Sequence, residues 1–391
     1  MQRWKIGQHR DMNSPSDGPV VSAPPVRPPV QPHAGRPHAG RPHAARPHPD
    51  RPLAARRDDT IAGLCGVWMI SGLFLDGWAH RNQKPETFFS PWHGILYSGF
   101  TASALWMLYV IRRHQRPGVS LRTTMPVGYG FRAAGVGLFG LGAVADLIWH
   151  IVFGIEVSIE ALLSPSHLVL LSGGLLMAVG PIVSTLAREP EEKPTWLSMG
   201  PVVGTIAFIA SLMQFFIMYL SPFDSWMFTK DQDRYAFTEG GRWFQETVTI
   251  RNVAHILIFT VFLVLPTLWL FRNIKLPRGS FLVVWFLPCV LQGLLDSFQS
   301  WPRLFGPLAA AVLAEILWPK LRARFTADTQ IAPLALLMAA MSFVTWIGLF
   351  LSLRVNNTLA WQAELWFGVP SFAALLSALV VLASSVTSSH N

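Results

Sequence analysis

Apolar residues in this chain come in long runs broken by short polar stretches, and the runs begin abruptly near position 60. Ten can be marked, at about 60–80, 92–111, 131–153, 164–187, 198–220, 251–271, 280–297, 304–319, 331–353 and 364–386. Most have the roughly 17–25 residues that an α-helix needs to cross a hydrocarbon core about 30 Å thick. The chain is therefore expected to be all-α, a polytopic membrane bundle of about ten transmembrane helices.

Residues 1–59 have a different character. A five-residue unit repeats as RPHAG (Arg36 to Gly40), RPHAA (Arg41 to Ala45) and RPHPD (Arg46 to Asp50). Proline at this density prevents helix and strand, and there is too little apolar surface for a core. A disordered, cytoplasmic Pro/Arg/His-rich arm is expected. It lacks the charged-then-apolar order of a cleavable signal peptide, which leaves the first helix as signal anchor. His33, His38, His43 and His48 offer weak metal binding. A basic, solvated tail near anionic lipid is the plainer reading.

Composition narrows the class. Hydrophobic residues make up 51% of the chain and charged residues 14%, against about a quarter charged in soluble domains. The net charge of +9 is no sign of a nucleic-acid partner, because about half of it lies in the arm and most of the rest flanks helices. The cysteines, Cys65 and Cys289, fall in separate apolar runs, so no disulfide framework is expected. Basic residues gather in alternate loops: Arg112, Arg113, Arg116 and Arg122; Arg188 and Lys193; Arg272, Lys275 and Arg278; Lys320, Arg322 and Arg324. The intervening loops carry fewer, and the one from Gly154 to Leu163 has none. The positive-inside rule then places both termini in the cytoplasm, with a bacterial inner membrane as the expected location and the lipid bilayer as a partner.

Two polar interruptions share a plan. DGWAHRNQKPETFFSPWH runs from Asp76 to His93, and DLIWHIVFGIEVSIEALLSPSH runs from Asp146 to His167. Each opens on an aspartate, has a histidine four residues later, and closes on Ser-Pro-x-His. Glu86 stands seven residues before His93, as Glu160 does before His167. Leu96, Ser98 and Gly99 recur as Leu170, Ser172 and Gly173. The copies differ between their histidines, thirteen positions apart in the first (80 to 93) and seventeen in the second (150 to 167). Four extra residues make about one helical turn. An internal helix-hairpin repeat is expected over 60–187, followed by the remaining helices over 188–390.

The spacing has a chemical meaning. Residues i and i+4 share a helix face, so Asp76 and His80 project the same way. Proline is tolerated in the first turn of a helix. Pro91 therefore starts the returning helix and brings His93 to the depth of the other two. Asp146, His150, Pro165 and His167 repeat the construction. Two Asp/His/His sites result, at the extracytoplasmic ends of their hairpins. Imidazole with carboxylate suits copper, zinc, iron or nickel, and the lack of thiolate or methionine argues against a soft Cu(I)-only site. A hydrogen-bonded core feature or a proton relay is the competing reading. Glu86 and Glu160 are placed to accept an imidazole N–H and fix a tautomer; a fourth ligand or a helix N-terminal acid are the alternatives. Glu156, four before Glu160, has no counterpart in the first copy.

Asp76-x3-His80-x12-His93 resembles the copper-ligand motif in the C subunit of particulate methane and ammonia monooxygenases. The resemblance covers about residues 70–175. That family carries an Asp-x3-His-x12-His set at the outer ends of two adjacent membrane helices, then a second histidine pair about seventy residues on, headed by asparagine. Here the second head is Asp146, and His167 comes a few residues late. The resemblance implies copper as cofactor, oxidation of a small apolar substrate, and other membrane subunits as partners.

Other intramembrane polar residues signal less. His255 reads as a satisfied core residue. Asp296 ends the seventh run much as Asp76 ends the first, but Ser300 occupies the +4 position. Glu315 and Glu364 have no evident partner. No Gly-rich phosphate loop, Ser-His-Asp order or clustered His-x-x-His-His box is present, which excludes ATP-driven transport and hydrolysis. Three classes remain: a copper-dependent membrane monooxygenase (an oxidoreductase), with iron or zinc as alternative metals; a non-catalytic copper binding or delivery protein, supplied by a periplasmic copper donor; and a metal or proton transporter. An enzyme should have an apolar pocket beside the metal. A transporter should continue polar residues to the cytoplasmic side.

Overall fold

A computed structural model describes residues 51–84, 90–154, 159–189, 191–223, 228–230, 241–324 and 331–386. The repeats of the arm, Glu86 and Glu156 lie outside them. The helices are α1 (Arg56–Arg81), α2 (Pro91–His114), α3 (Leu121–Thr124), α4 (Tyr129–Phe153), α5 (Ile159–Leu163), α6 (Pro165–Leu186), α7 (Trp196–Phe216), α8 (Gly241–Asn273), α9 (Leu287–Leu295), α10 (Phe305–Arg324), α11 (Ile331–Val355) and α12 (Ala363–Val386). Among the described residues, nine helices are long and apolar enough to cross a membrane: α1, α2, α4, α6, α7, α8, α10 with the turn before it, α11 and α12.

The tenth expected span, 280–297, is shorter than its apolar run. It is helical from 280 to 295, opening with a π-helical stretch at Leu282–Phe286 ahead of Pro288. Sixteen residues rise only about 24 Å. Gly279 before it has φ +90°, and Ser297 and Phe298 after it have φ 53° and 57°, so both ends are closed by backbone that cannot continue a helix. The segment still reaches both ends of the bundle. Trp196 Nε1, at the start of α7, donates to the Arg278 carbonyl (3.0 Å), and Trp78 Nε1, near the end of α1, donates to Ser297 Oγ (2.8 Å). Helices α1 and α7 run parallel, with Gly63 against Pro201 and Gly77 against Phe215.

Two antiparallel hairpins, α1 with α2 and α4 with α6, carry the polar motifs. Glycine lets their backbones approach. A methyl group on Gly72 would lie 2.5 Å from the Leu96 nitrogen, and one on Gly99 would lie 2.8 Å from that of Met69. In the second hairpin Gly173 meets Phe139 at 2.5 Å and Gly142 meets Leu170 at 3.0 Å in the same sense. Small residues serve this purpose in lipid, where packing rather than water exclusion drives helix association. The two hairpins and α7 meet over Met69, Leu96, Phe139, Leu170 and Met177, with Phe208 against them.

Helix α1 begins at Arg56, ahead of its apolar run, because its first-turn acids are paired. Asp58 is salt-bridged to Arg113 at the end of α2. Asp59 pairs with Arg188 beyond α6 at 2.7 Å and accepts from Ser184 Oγ at 2.8 Å. These bonds tie the hairpins together at the end opposite the histidines.

Candidate metal centre

Helix geometry delivers the three side chains of each motif to one point. In both triads, one ligand atom from each of the three residues lies within 4.8 Å of the others. Asp76 Oδ2 faces Nε2 of His80, one turn on along α1, at 3.7 Å; its Oδ1 faces Nε2 of His93, across the hairpin, at 3.3 Å. Asp146 Oδ2 stands 3.4 Å from Nε2 of His150, and Oδ1 stands 3.3 Å from Nε2 of His167. The imidazole centroids are 6.3 Å apart in the first triad and 6.0 Å in the second, with rings inclined at 69° and 62°. All six residues singled out by spacing are thus brought together in two groups of three.

The outward ring nitrogens are held as well. Ser164, the N-cap of α6, places Oγ 2.7 Å from His167 Nδ1, and Ser90 places Oγ 3.4 Å from His93 Nδ1. The paired Ser-Pro dipeptides were the available signal, but read only as helix starts they conceal this second task. His150 Nδ1 lies 3.3 Å from the Gly154 carbonyl. A carbonyl only accepts, so Nδ1 carries a proton, and a neutral ring then turns its Nε2 lone pair toward Asp146. Lone pair and carboxylate repel unless a cation stands between them. A proton on Nε2 or a metal ion can fill that place.

The carboxylates differ in one bond. Ser166 Oγ donates to Asp146 Oδ1 at 3.0 Å. The equivalent position in the first hairpin is Trp92, which has no hydroxyl. Among the described residues Asp76 Oδ1 is buried with no aligned hydrogen-bond donor, and the His93 ring nitrogen stands 3.3 Å from it. A buried acceptor in that state is costly, and a bound cation removes the cost.

Both triads open into one cavity of about 290 Å³. Asp76, His80, Arg81, His93, Asp146 and His167 form its polar end; the remainder is largely apolar, with Ile70, Leu73, Leu171, Phe208, Leu212 and Phe216 among the lining. Helix α5 lies between the histidines of the second motif, just before Ser164. It brings Ile159, Ala161 and Leu162 to the same cavity, and Leu162 is buried in the cluster of Phe74, Leu212 and Phe215.

Glu160 stands exposed in the first turn of α5. His255 is buried in α8, away from both triads. Asp296 closes a turn, its Oδ2 accepting from the Ser300 nitrogen at 2.8 Å. Glu315 of α10 accepts from the nitrogens of Gly279 (2.8 Å) and Phe281 (2.7 Å), capping the short helical segment that leads into α9. Glu364 lies in the first turn of α12, where an acid favours the helix dipole. No protein-family model, curated protein or solved structure matches this chain.

Proposed function

We propose that each triad holds one metal ion, copper ahead of iron or zinc, and that the chain is a copper-dependent membrane protein of the monooxygenase type. The reading is carried by two donor sets of two imidazoles and one carboxylate opening into a single apolar cavity. Each set fits a divalent ion of the copper or zinc kind. Copper bound there with an open coordination position would supply oxygen-activating redox chemistry. The chain's own residues supply the rest. Asp76 and Asp146 balance the ion's charge, and Ser90 and Ser164 orient His93 and His167. The apolar walls exclude water and admit a small apolar molecule from the lipid. The first motif's resemblance to the monooxygenase subunit, and the matched order of the two motifs, support a duplicated hairpin. Glu86, Glu156 and Glu160 remain proposed partners of the imidazoles from the loops.

Two features weigh against a cation pathway. Met69 and Phe208 stand at the inner wall of the cavity, and beyond them lies the buried guanidinium of Arg132, which they share as lining of a second cavity. Apolar side chains and a bulky guanidinium stem on that route offer a moving cation few ligands.

The basic loops support an orientation with the triads at the extracytoplasmic surface, open to a periplasmic copper donor and to further membrane subunits. Because 280–295 reaches both ends of the bundle, the start of α1 and the end of α12 share the opposite side, the cytoplasmic one. Gln83→Cys should then react with an impermeant thiol reagent from outside and Gln115→Cys should not. Cys65 and Cys289 are buried, so background labelling is low. Labelling of Gln115→Cys alone would invert the orientation.

Metal analysis of protein expressed with copper should give two ions per chain, with nitrogen couplings in the Cu(II) resonance spectrum. Metal content near zero removes the proposal. Two ions without oxygenation of a short alkane or ammonia, given reductant and dioxygen, would leave copper storage or delivery as the function.

A further inference from the structure

A second cavity, of about 30 Å³, lies among α1, α2, α4, α6 and α7. Its lining includes Arg132, Ser103 and Thr205, with Gly63, Gly66 and Gly204 leaving the space open. Arg132 is only 4% exposed. Its Nη2 donates to Ser103 Oγ at 3.2 Å, and among the described residues its buried Nε has no acceptor. A guanidinium keeps its charge at any pH a protein survives. Burying it without a directly paired counter-charge is strongly unfavourable.

The carboxylates at this end of the bundle are already engaged. Asp58 pairs with Arg113 and Asp59 with Arg188, and among the described residues Arg132 forms no ion pair. Its stem packs against Gly180, and its guanidinium lies 5.9 Å from the Tyr129 ring centroid; neither contact supplies negative charge. Three guanidinium groups thus surround the two carboxylates, with Asp59 acting on Arg132 only through space, so Arg132 has no carboxylate of its own.

We infer that this cavity is a monovalent anion site, with Arg132, Ser103 and Thr205 as its donors and a halide, chloride in the cell, as its ligand. Size selects the class. A cavity needs about 10–15 Å³ on this measure for one water-sized atom, so 30 Å³ suits a monatomic ion better than a tetrahedral oxyanion. Water would satisfy Nε and leave the charge unbalanced. A halide does both. The donors are separate from the metal-ligating triads, so the inference stands or falls independently of the copper reading.

The test uses the full chain in detergent, with chloride, bromide, gluconate or sulfate at matched ionic strength. Chloride and bromide should raise the melting midpoint by roughly 2–4 °C over gluconate and sulfate. Crystals grown in bromide should show anomalous density beside Arg132. Arg132→Met should abolish the halide response while leaving bound metal unchanged. Should that variant fail to fold, Thr205→Val should weaken the halide response of a folded protein. Equal midpoints in all four anions would overturn the site, as would a halide response that survives in Arg132→Met, or bromide crystals showing no anomalous signal in the cavity.

Discussion

The two hairpins carry the same three ligands and present them differently. In the first triad the histidine across the hairpin, His93, is enclosed and the one along the helix, His80, is open, with side-chain exposures of 7% and 26%. In the second the order reverses: His150 at 7% and His167 at 25%. His80 and His167 therefore face the shared cavity from opposite motifs. The carboxylates differ too, since Asp146 Oδ1 accepts a hydrogen bond from the Ser166 hydroxyl whereas Asp76 Oδ1 has no hydroxyl donor and faces the His93 ring nitrogen. Matching spacing fixes which residues meet. Their neighbours decide how each set is exposed and hydrogen-bonded.

The largest effect expected from breaking this comparison is loss of one site at a time. Asp76→Asn should lower bound metal from two ions per chain to one, since an amide keeps the shape but removes the charge. Asp146→Asn should do the same at the other site. Loss of both ions in either single variant would mean that the triads act as one centre. Next in size is the order of filling. The first triad should load at least tenfold more tightly in a competition titration with a chelator, and Ser166→Ala should narrow the gap by freeing Asp146 Oδ1. Identical affinities in the unaltered protein would show that this hydroxyl has no influence. Smaller still is the effect of the hydroxyls behind the rings. Ser164→Ala should weaken the second site by about 10-fold or more, and Ser90→Ala should weaken the first by less, given 2.7 Å against 3.4 Å. The smallest change is in packing. Gly72→Ala should destabilise the fold by about 1–3 kcal/mol, and Gly142→Ala should cost less, measured by thermal unfolding.

Much of the arrangement was legible in the sequence, because helical periodicity determines it. Asp76 with His80, and Asp146 with His150, needed only the i, i+4 rule; His93 and His167 needed only a proline that starts a helix. What depends on contacts between distant segments was not legible. The shared cavity arises from α7 closing over both hairpins, and no local pattern encodes that. Nor does a run of apolar residues reveal that 280–295 is cut short by backbone turns at both ends. Glu315 looked unpartnered because the nitrogens it caps lie more than thirty residues away. The greater length of the second motif was visible in the sequence, but the use of α5 as a wall of the cavity was not.

The glycine contacts have a consequence for how the protein is made. Each triad draws all its ligands from one hairpin, and each hairpin is drawn close by its own glycines, Gly72 with Gly99 and Gly142 with Gly173. Chains emerge from the ribosome N-terminus first, and early segments fold before late ones exist. The first triad is complete once α2 has entered the membrane, and the second once α6 has, before α7 packs against them. The cavity exists only after α7 arrives. Each triad thus assembles before the chamber that confines it, and during biogenesis both stand open before the bundle closes over them.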